Sequence, residues 1–185
     1  MNVYGIGRRF LAAAPLHRRG KAMAKIMTRN IHVEKRIEDL GLSLPATATP
    51  KGSYVQFNRM GNVVFTAGHI SAQHDGTLIT GKVGADISPE EGHAAAKQVA
   101  LSLIATMQNA AGGDLDKVKK IVKLVGFVNC DDSFGQQPEV INGCSNLMGE
   151  VFGEERAAHA RSAVGTNSLP RGVPVEIELI AEIKD

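Results

Sequence analysis

Tryptophan is absent, and aromatic residues make up only 4% of the 185-residue chain. A core built from this sequence is therefore aliphatic. The aromatic platforms on which single-stranded nucleic acids stack are also scarce. No apolar run reaches the roughly 18 residues that a membrane helix needs. Cysteine occurs twice, as Cys130 and Cys144, with no C-x-x-C pair and no zinc spacing to the six histidines. That usage fits two free thiols in a reducing compartment better than a disulfide or a metal site. The P-loop spacing fails in "TGKVGADIS", and neither H-E-x-x-H nor G-x-S-x-G occurs.

Acid is missing from one region. Residues 1–33 hold Arg8, Arg9, Arg18, Arg19, Lys21, Lys25 and Arg29 and no Asp or Glu, which leaves 14 bases against 19 acids in the remainder. The formal net charge of +2 thus joins a strongly basic extension to a mildly acidic body. The acidic body argues against nucleic-acid binding through a broad positive field. Residues 1–30 are Arg-rich, Ala-rich and lack the apolar stretch of a secretory signal. They read as a mitochondrial transit peptide, as a start codon placed upstream of the true one at Met23 or Met27 in a cytoplasmic chain, or as a functional basic arm. Residues 31–185 form the domain to be folded, and 43% hydrophobic residues suffice for one core.

Within that domain, "EKRIEDLGLSL" reads as a short helix ending at Gly41, followed by a linker from Pro45 to Pro50. "SYVQFNRMGNVVFTAGHI" is two apolar runs joined at Arg59-Met60-Gly61-Asn62, a hairpin pattern. "SAQHDGTLITGKVGADI" is turn-rich and is expected to hold one short strand. Ser88-Pro89-Glu90-Glu91 gives an N-cap, a first-turn Pro and a Glu at the third position, so a helix starts here and runs to Gly112-Gly113. "DKVKKIVKLVGFVNC" predicts a long strand. Pro138 opens a second helix with Val140, Ile141, Cys144, Leu147, Met148, Val151 and Phe152 on one side and Gly153 beyond it. Cys144 lies on that apolar stripe, and Cys130 falls at a strand end.

The chain closes on two strands. In the last, Val173, Val175, Ile177, Leu179, Ala181 and Ile183 share one face, while Glu176, Glu178, Ile180 and Glu182 share the other. Helices separated from hairpins predict an α+β fold with one sheet and two helices on one face. The second face is then free. It is either an ordinary solvated face with one stray Ile180, or a mixed apolar and acidic subunit interface.

Arg161 stands between a helix and a strand, beside the small residues Ala160, Ser162 and Ala163. A guanidinium in a partly dry cleft binds a carboxylate through two parallel hydrogen bonds. Glu176 then orients the arginine or holds a water. The bland alternative is an intrachain Arg–Glu pair with no ligand.

Four segments, "YVQFNRMGNVVFTAGHI", "GDLDKVKKIVKLVGFVN", "FGQQPEVIN" and "ARSAVGTNSLPRGVPVEIELIAEI", together resemble the Rid family of reactive intermediate deaminases, also called YjgF or L-PSP endoribonuclease-like. The resemblance runs from about residue 50 to the C-terminus. Within the family, "IEDLGLSLP", "GKVGADIS" and the longer second helix mark a distinct branch. The resemblance implies a chorismate-mutase-like α+β sandwich with one mixed sheet. It implies a homotrimer around a central β-barrel, with ligand clefts between subunits. It also implies hydrolysis of enamines and imines of α-keto acids to keto acid and ammonia, with no cofactor. Residue by residue, it makes Arg161 the holder of the substrate carboxylate and Glu176 the residue that positions water. Tyr54, Gly68 and Asn142 become further substrate-binding residues. Two departures stand out. Ala163 occupies a position often held by Cys, which leaves only its backbone for ligand contact. The family's S-G-Q segment reads Ala67-Gly68-His69, so His69 either narrows the cleft, serves as acid–base, or replaces Gln in packing. Two other classes compete: a non-catalytic trimer that binds a small carboxylate or acts as a regulatory or chaperone-like partner, and an endoribonuclease, which the acidic body disfavours.

Overall fold

In the computed structural model, residues 32–47, 49–50 and 52–184 are described. The basic extension read over 1–30 lies outside them. The elements in chain order are α1 (Val33–Asp39), β1 (Phe57–Met60), β2 (Val63–Thr66), β3 (His69–Ile70), α2 (Pro89–Ala110), β4 (Val118–Asn129), α3 (Gln137–Phe152), α4 (Glu154–Ala157), β5 (Ala160–Thr166) and β6 (Val175–Ile183).

The strands form one mixed sheet in the order β1-β2-β6-β4-β5, with β3 also pairing β6. Among the described strands only β4 and β5 run parallel, because α3 carries the chain back between them. β6 is central. Its apolar set faces the helices: Val175, Ile177, Ala181 and Ile183 are fully buried, and Leu179 nearly so. α2 and α3 lie against each other and cover this one face. The fold is thus the α+β arrangement that the order of hairpin, helix, strand, helix and strands predicts.

Local chemistry sets the element ends. Ser88 Oγ accepts from Glu91 N at 3.2 Å, and Glu91 Oε2 accepts from Ser88 N at 2.7 Å, a reciprocal cap that fixes where α2 begins. Gly61 takes φ 57° in the two-residue link between β1 and β2, a conformation a side chain resists.

Three local expectations are corrected. Residues 71–87 hold no strand, only isolated bridges such as Ala72–Leu78 and Val83–Cys130. Turn chemistry wins there: Asp75 and Asp86 side chains accept from the backbone of Thr77 and Lys82, both at 2.8 Å, and Gly76, Gly81 and Gly84 take positive φ. The long strand starts at Val118, since Leu115–Lys117 is a 3-10 turn capped by the Asp114 side chain. α4 is a further helical turn that the pattern did not reveal.

Candidate functional site

Arg161, the second residue of the edge strand β5, gathers polar side chains around it. Its Nη1 donates to Asn142 Oδ1 at 2.7 Å and to Ser145 Oγ at 3.0 Å. Its Nη2 donates to the Pro138 carbonyl at 3.4 Å. All three partners lie on α3, where residues three apart share a face. Among the described residues, the Nε–H and one Nη2 hydrogen have no partner. They form the side of the fork that takes a carboxylate through two parallel bonds. Ala163 follows on the same side of β5, half-buried and packed against the core opposite Gly126. Cys144 is buried beneath; burial pushes its thiol up to about 12, against the pull of Arg161.

Glu176 lies elsewhere. It pairs with Phe127 of β4 and Ile70 of β3 and points to the face the helices leave open. Its carboxylate fills the space above Gly68, where any Cβ would collide with Oε1. That contact gives Gly68 a physical reason to lack a side chain. Burial raises the Glu176 pKa, and the neighbouring Glu178 raises it further. Tyr54 belongs to the same quarter. It is exposed, two residues before Gln56, whose carbonyl accepts from Ala67 N beside Gly68.

Six of the seven residues expected at the site therefore split into two groups. Arg161, Asn142 and Ala163 gather at the β5–α3 edge. Glu176 and Gly68 meet across the sheet, with Tyr54 near them along the chain through Gln56. Arg161 sits level with Leu124, which pairs with Leu179, three residues along β6 from Glu176. The two charged groups are thus on opposite faces and about 10 Å apart along the strands alone. Glu176 does not orient Arg161 within the chain; Asn142 and Ser145 do. His69 joins neither group. Only 8% exposed, its ring turns into the helix layer, bonding the Ala67 carbonyl and Thr106 Oγ1, both at 2.8 Å. Burial lowers its pKa, which suits a neutral packing residue and not a cleft acid.

Two polar residues escaped the sequence reading. Ser145 is one turn beyond Asn142, and His159 precedes Arg161 by two positions. The spacing along α3 and the position of His159 beside β5 were the only signals. A separate groove of about 460 Å³ opens at the far end of β5, lined by Cys130, Asp131, Phe134, Gln137, Gly165 and Thr166, and includes neither Arg161 nor Glu176. Among the described residues, Glu34, Asp114 and Asp116 are the one carboxylate cluster close enough to share a cation. Each accepts from a backbone N–H, of Leu115, Asp116 and Val33 respectively, which accounts for them as turn caps.

A mixed sheet with two helices on one face, carrying an arginine edge and a glutamate on the reverse, defines an α+β protein of the chorismate-mutase-like class. Residues 34–183 match the family model "YjgF/chorismate_mutase-like, putative endoribonuclease", and the chain belongs to that family. Protein TCP17 of Trypanosoma cruzi is 42% identical over 153 residues, 83% of this chain and 95% of that protein. The crystal structure of Atu1372 from Agrobacterium tumefaciens superposes with a TM-score of 0.76 at 38% identity, covering 84% of this chain and 96% of that one. A Shewanella oneidensis structure described as "a putative endoribonuclease" gives a TM-score of 0.77 at 32% identity, covering 82% and 99%.

Proposed function

We propose that this protein is a Rid-type deaminase. It hydrolyses 2-iminoalkanoates and their enamine tautomers to the keto acid and ammonia, in clefts between the subunits of a homotrimer. One observation carries the reading: Arg161 and Glu176 are each well built, yet lie on opposite faces of one sheet. They serve a single small molecule only if one copy's arginine edge meets another copy's glutamate face. The uncovered face supports such an assembly, since Phe65, Ile180, Val125, Phe127 and Val164 share it with Glu178.

The chemistry asks little of the protein. The Nε–Nη2 edge of Arg161 holds the substrate carboxylate, with Asn142 keeping the guanidinium in place. Glu176, its pKa raised, accepts a proton from a water that adds to the carbon of the protonated imine, which gives a neutral carbinolamine. Glu176 returns that proton to nitrogen and takes the hydroxyl proton as ammonia leaves, so the carbonyl forms. Neither thiol is needed, in keeping with Ala163. The acid-free basic residues 1–30 support mitochondrial targeting.

A second reading, a non-catalytic trimer binding a small carboxylate, draws on Ala163 and on the three intrachain bonds of Arg161. The decisive experiment generates 2-iminopropanoate and 2-iminobutanoate in situ with an amino-acid oxidase and follows their decay with full-length protein. Wild type is expected to accelerate decay, and Arg161→Ala to lower kcat/KM by about 100-fold or more. Decay no faster than without protein rejects the deaminase and leaves the binding reading.

A further inference from the structure

Behind Arg161 the hydrogen bonds run in one direction. His159 Nδ1 lies against the Ala157 carbonyl, which only accepts, so Nδ1 carries the proton. Nε2 is then a bare acceptor. Its partner is Ser145 Oγ at 3.1 Å, so the serine hydrogen points at His159. What Ser145 offers Arg161 is a lone pair, and Nη1 donates to it at 3.0 Å. Each donor in the series Arg161, Ser145, His159 finds an acceptor in the next group, ending at Ala157.

We propose that Ser145 and His159 are positioning residues for the Arg161 carboxylate anchor: neutral His159 sets the Ser145 hydroxyl, and Ser145 with Asn142 holds Nη1 so that the Nε–Nη2 edge stays open. The inference rests on Arg161 being that anchor. A proton gained by His159 would turn Nε2 into a donor, so the Ser145 hydrogen would turn away, its oxygen would be shared between two donors, and a second cation would stand beside Arg161. The surroundings oppose that proton. Burial lowers the His159 pKa first; the Ala157 bond pushes it up, and the Arg161 and Lys120 cations push it down. The groups facing the ring are Lys120 from β4, Arg161 from β5, neutral Ser145 from α3 and the α4 carbonyl of Ala157. The Lys120 ammonium is itself tied to the Glu155 carbonyl at 2.7 Å.

The test uses full-length protein with nitrogen-15 NMR of His159 and Arg161, beside calorimetric titration of 2-oxobutanoate. The Nδ1–H tautomer is expected in wild type. Arg161 guanidinium protons should exchange slowly there and about tenfold faster in Ser145→Ala, the scale of one hydrogen bond to a charged group. 2-Oxobutanoate should bind about tenfold more weakly to Ser145→Ala and His159→Ala. His159→Gln is the discriminating variant. Its amide oxygen replaces Nε2 as acceptor and cannot titrate, so affinity should match wild type near neutrality and lose the weakening that wild type shows in acid. An Nε2–H tautomer, equal exchange in wild type and Ser145→Ala, or a wild-type acid profile in His159→Gln overturns the relay while Arg161→Ala still abolishes binding. If Arg161→Ala leaves binding intact, the anchor itself is wrong and the inference falls with it.

Discussion

His69 shows how a single residue couples to pH. Its ring is held neutral between the Ala67 carbonyl and Thr106 in the helix layer, with its pKa lowered by burial. In the unfolded chain the same imidazole takes a proton near its ordinary value of 6.5. Unfolding therefore binds protons in the window below that value, and the stability His69 contributes above it is lost as pH falls toward the folded pKa. The His159 shift has the same sign. Glu176, raised by burial, works the other way: its share is present below the ordinary 4.5 and lost as pH rises through the folded pKa. The urea midpoint is expected to fall between about pH 7 and about pH 5, and His69→Gln should flatten part of that slope. An unchanged slope in the variant would assign the acid sensitivity elsewhere.

At the scale of elements, the contact between α2 and α3 decides where the arginine's partners sit. Gly143 faces α2 so closely that a Cβ would run into the His93 carbonyl. The helices meet there because that side chain is missing, and Asn142 and Ser145 flank the contact point. Gly143→Ala is expected to cost about 1–3 kcal/mol as an overpacked contact, and to loosen Arg161 along with α3. Gly149 stands six residues on along the same helix with open space at its Cβ position. There the same substitution should stabilise by about 0.5–1 kcal/mol, since alanine is the better helix former. Urea unfolding of the two variants compares close packing with intrinsic propensity directly; effects of the same sign would contradict the helix contact described.

For the whole molecule the open sheet face is the issue. Phe65 is 40% and Val164 44% exposed, and Ile180 lies between Glu178 and Glu182 on β6. On this face Lys119 of β4 pairs with Glu182 at 3.4 Å and Lys123 stands level with Ile180, so a second copy would meet both apolar groups and opposite charges. In the proposed trimer, Ile180→Asp puts an unpaired carboxylate into the assembled face. Sedimentation should then find the monomer, with a helical circular dichroism spectrum like wild type. Imine decay should fall with the trimer, since Arg161 would no longer meet a partner's Glu176. A trimer that survives the substitution would place the interface on another surface.

Elements whose signals are local were legible along the chain. The Ser88 capping box, the Gly61 link, the alternation of β6 and the apolar stripe of α3 each depend on residues a few positions apart, so backbone chemistry alone specifies them. The family likeness named Arg161, Glu176, Gly68 and Asn142. Residues 71–87 misled because side-chain-to-backbone bonds replace the ladder that their apolar residues suggest. What only the tertiary structure decided is which groups converge. It set Asn142 and Ser145 against Arg161, turned His69 into the helix layer, and put Arg161 and Glu176 on opposite faces. Those outcomes follow from register across β4 and from the close approach of α2 and α3, which depend on pairings between residues far apart in the chain.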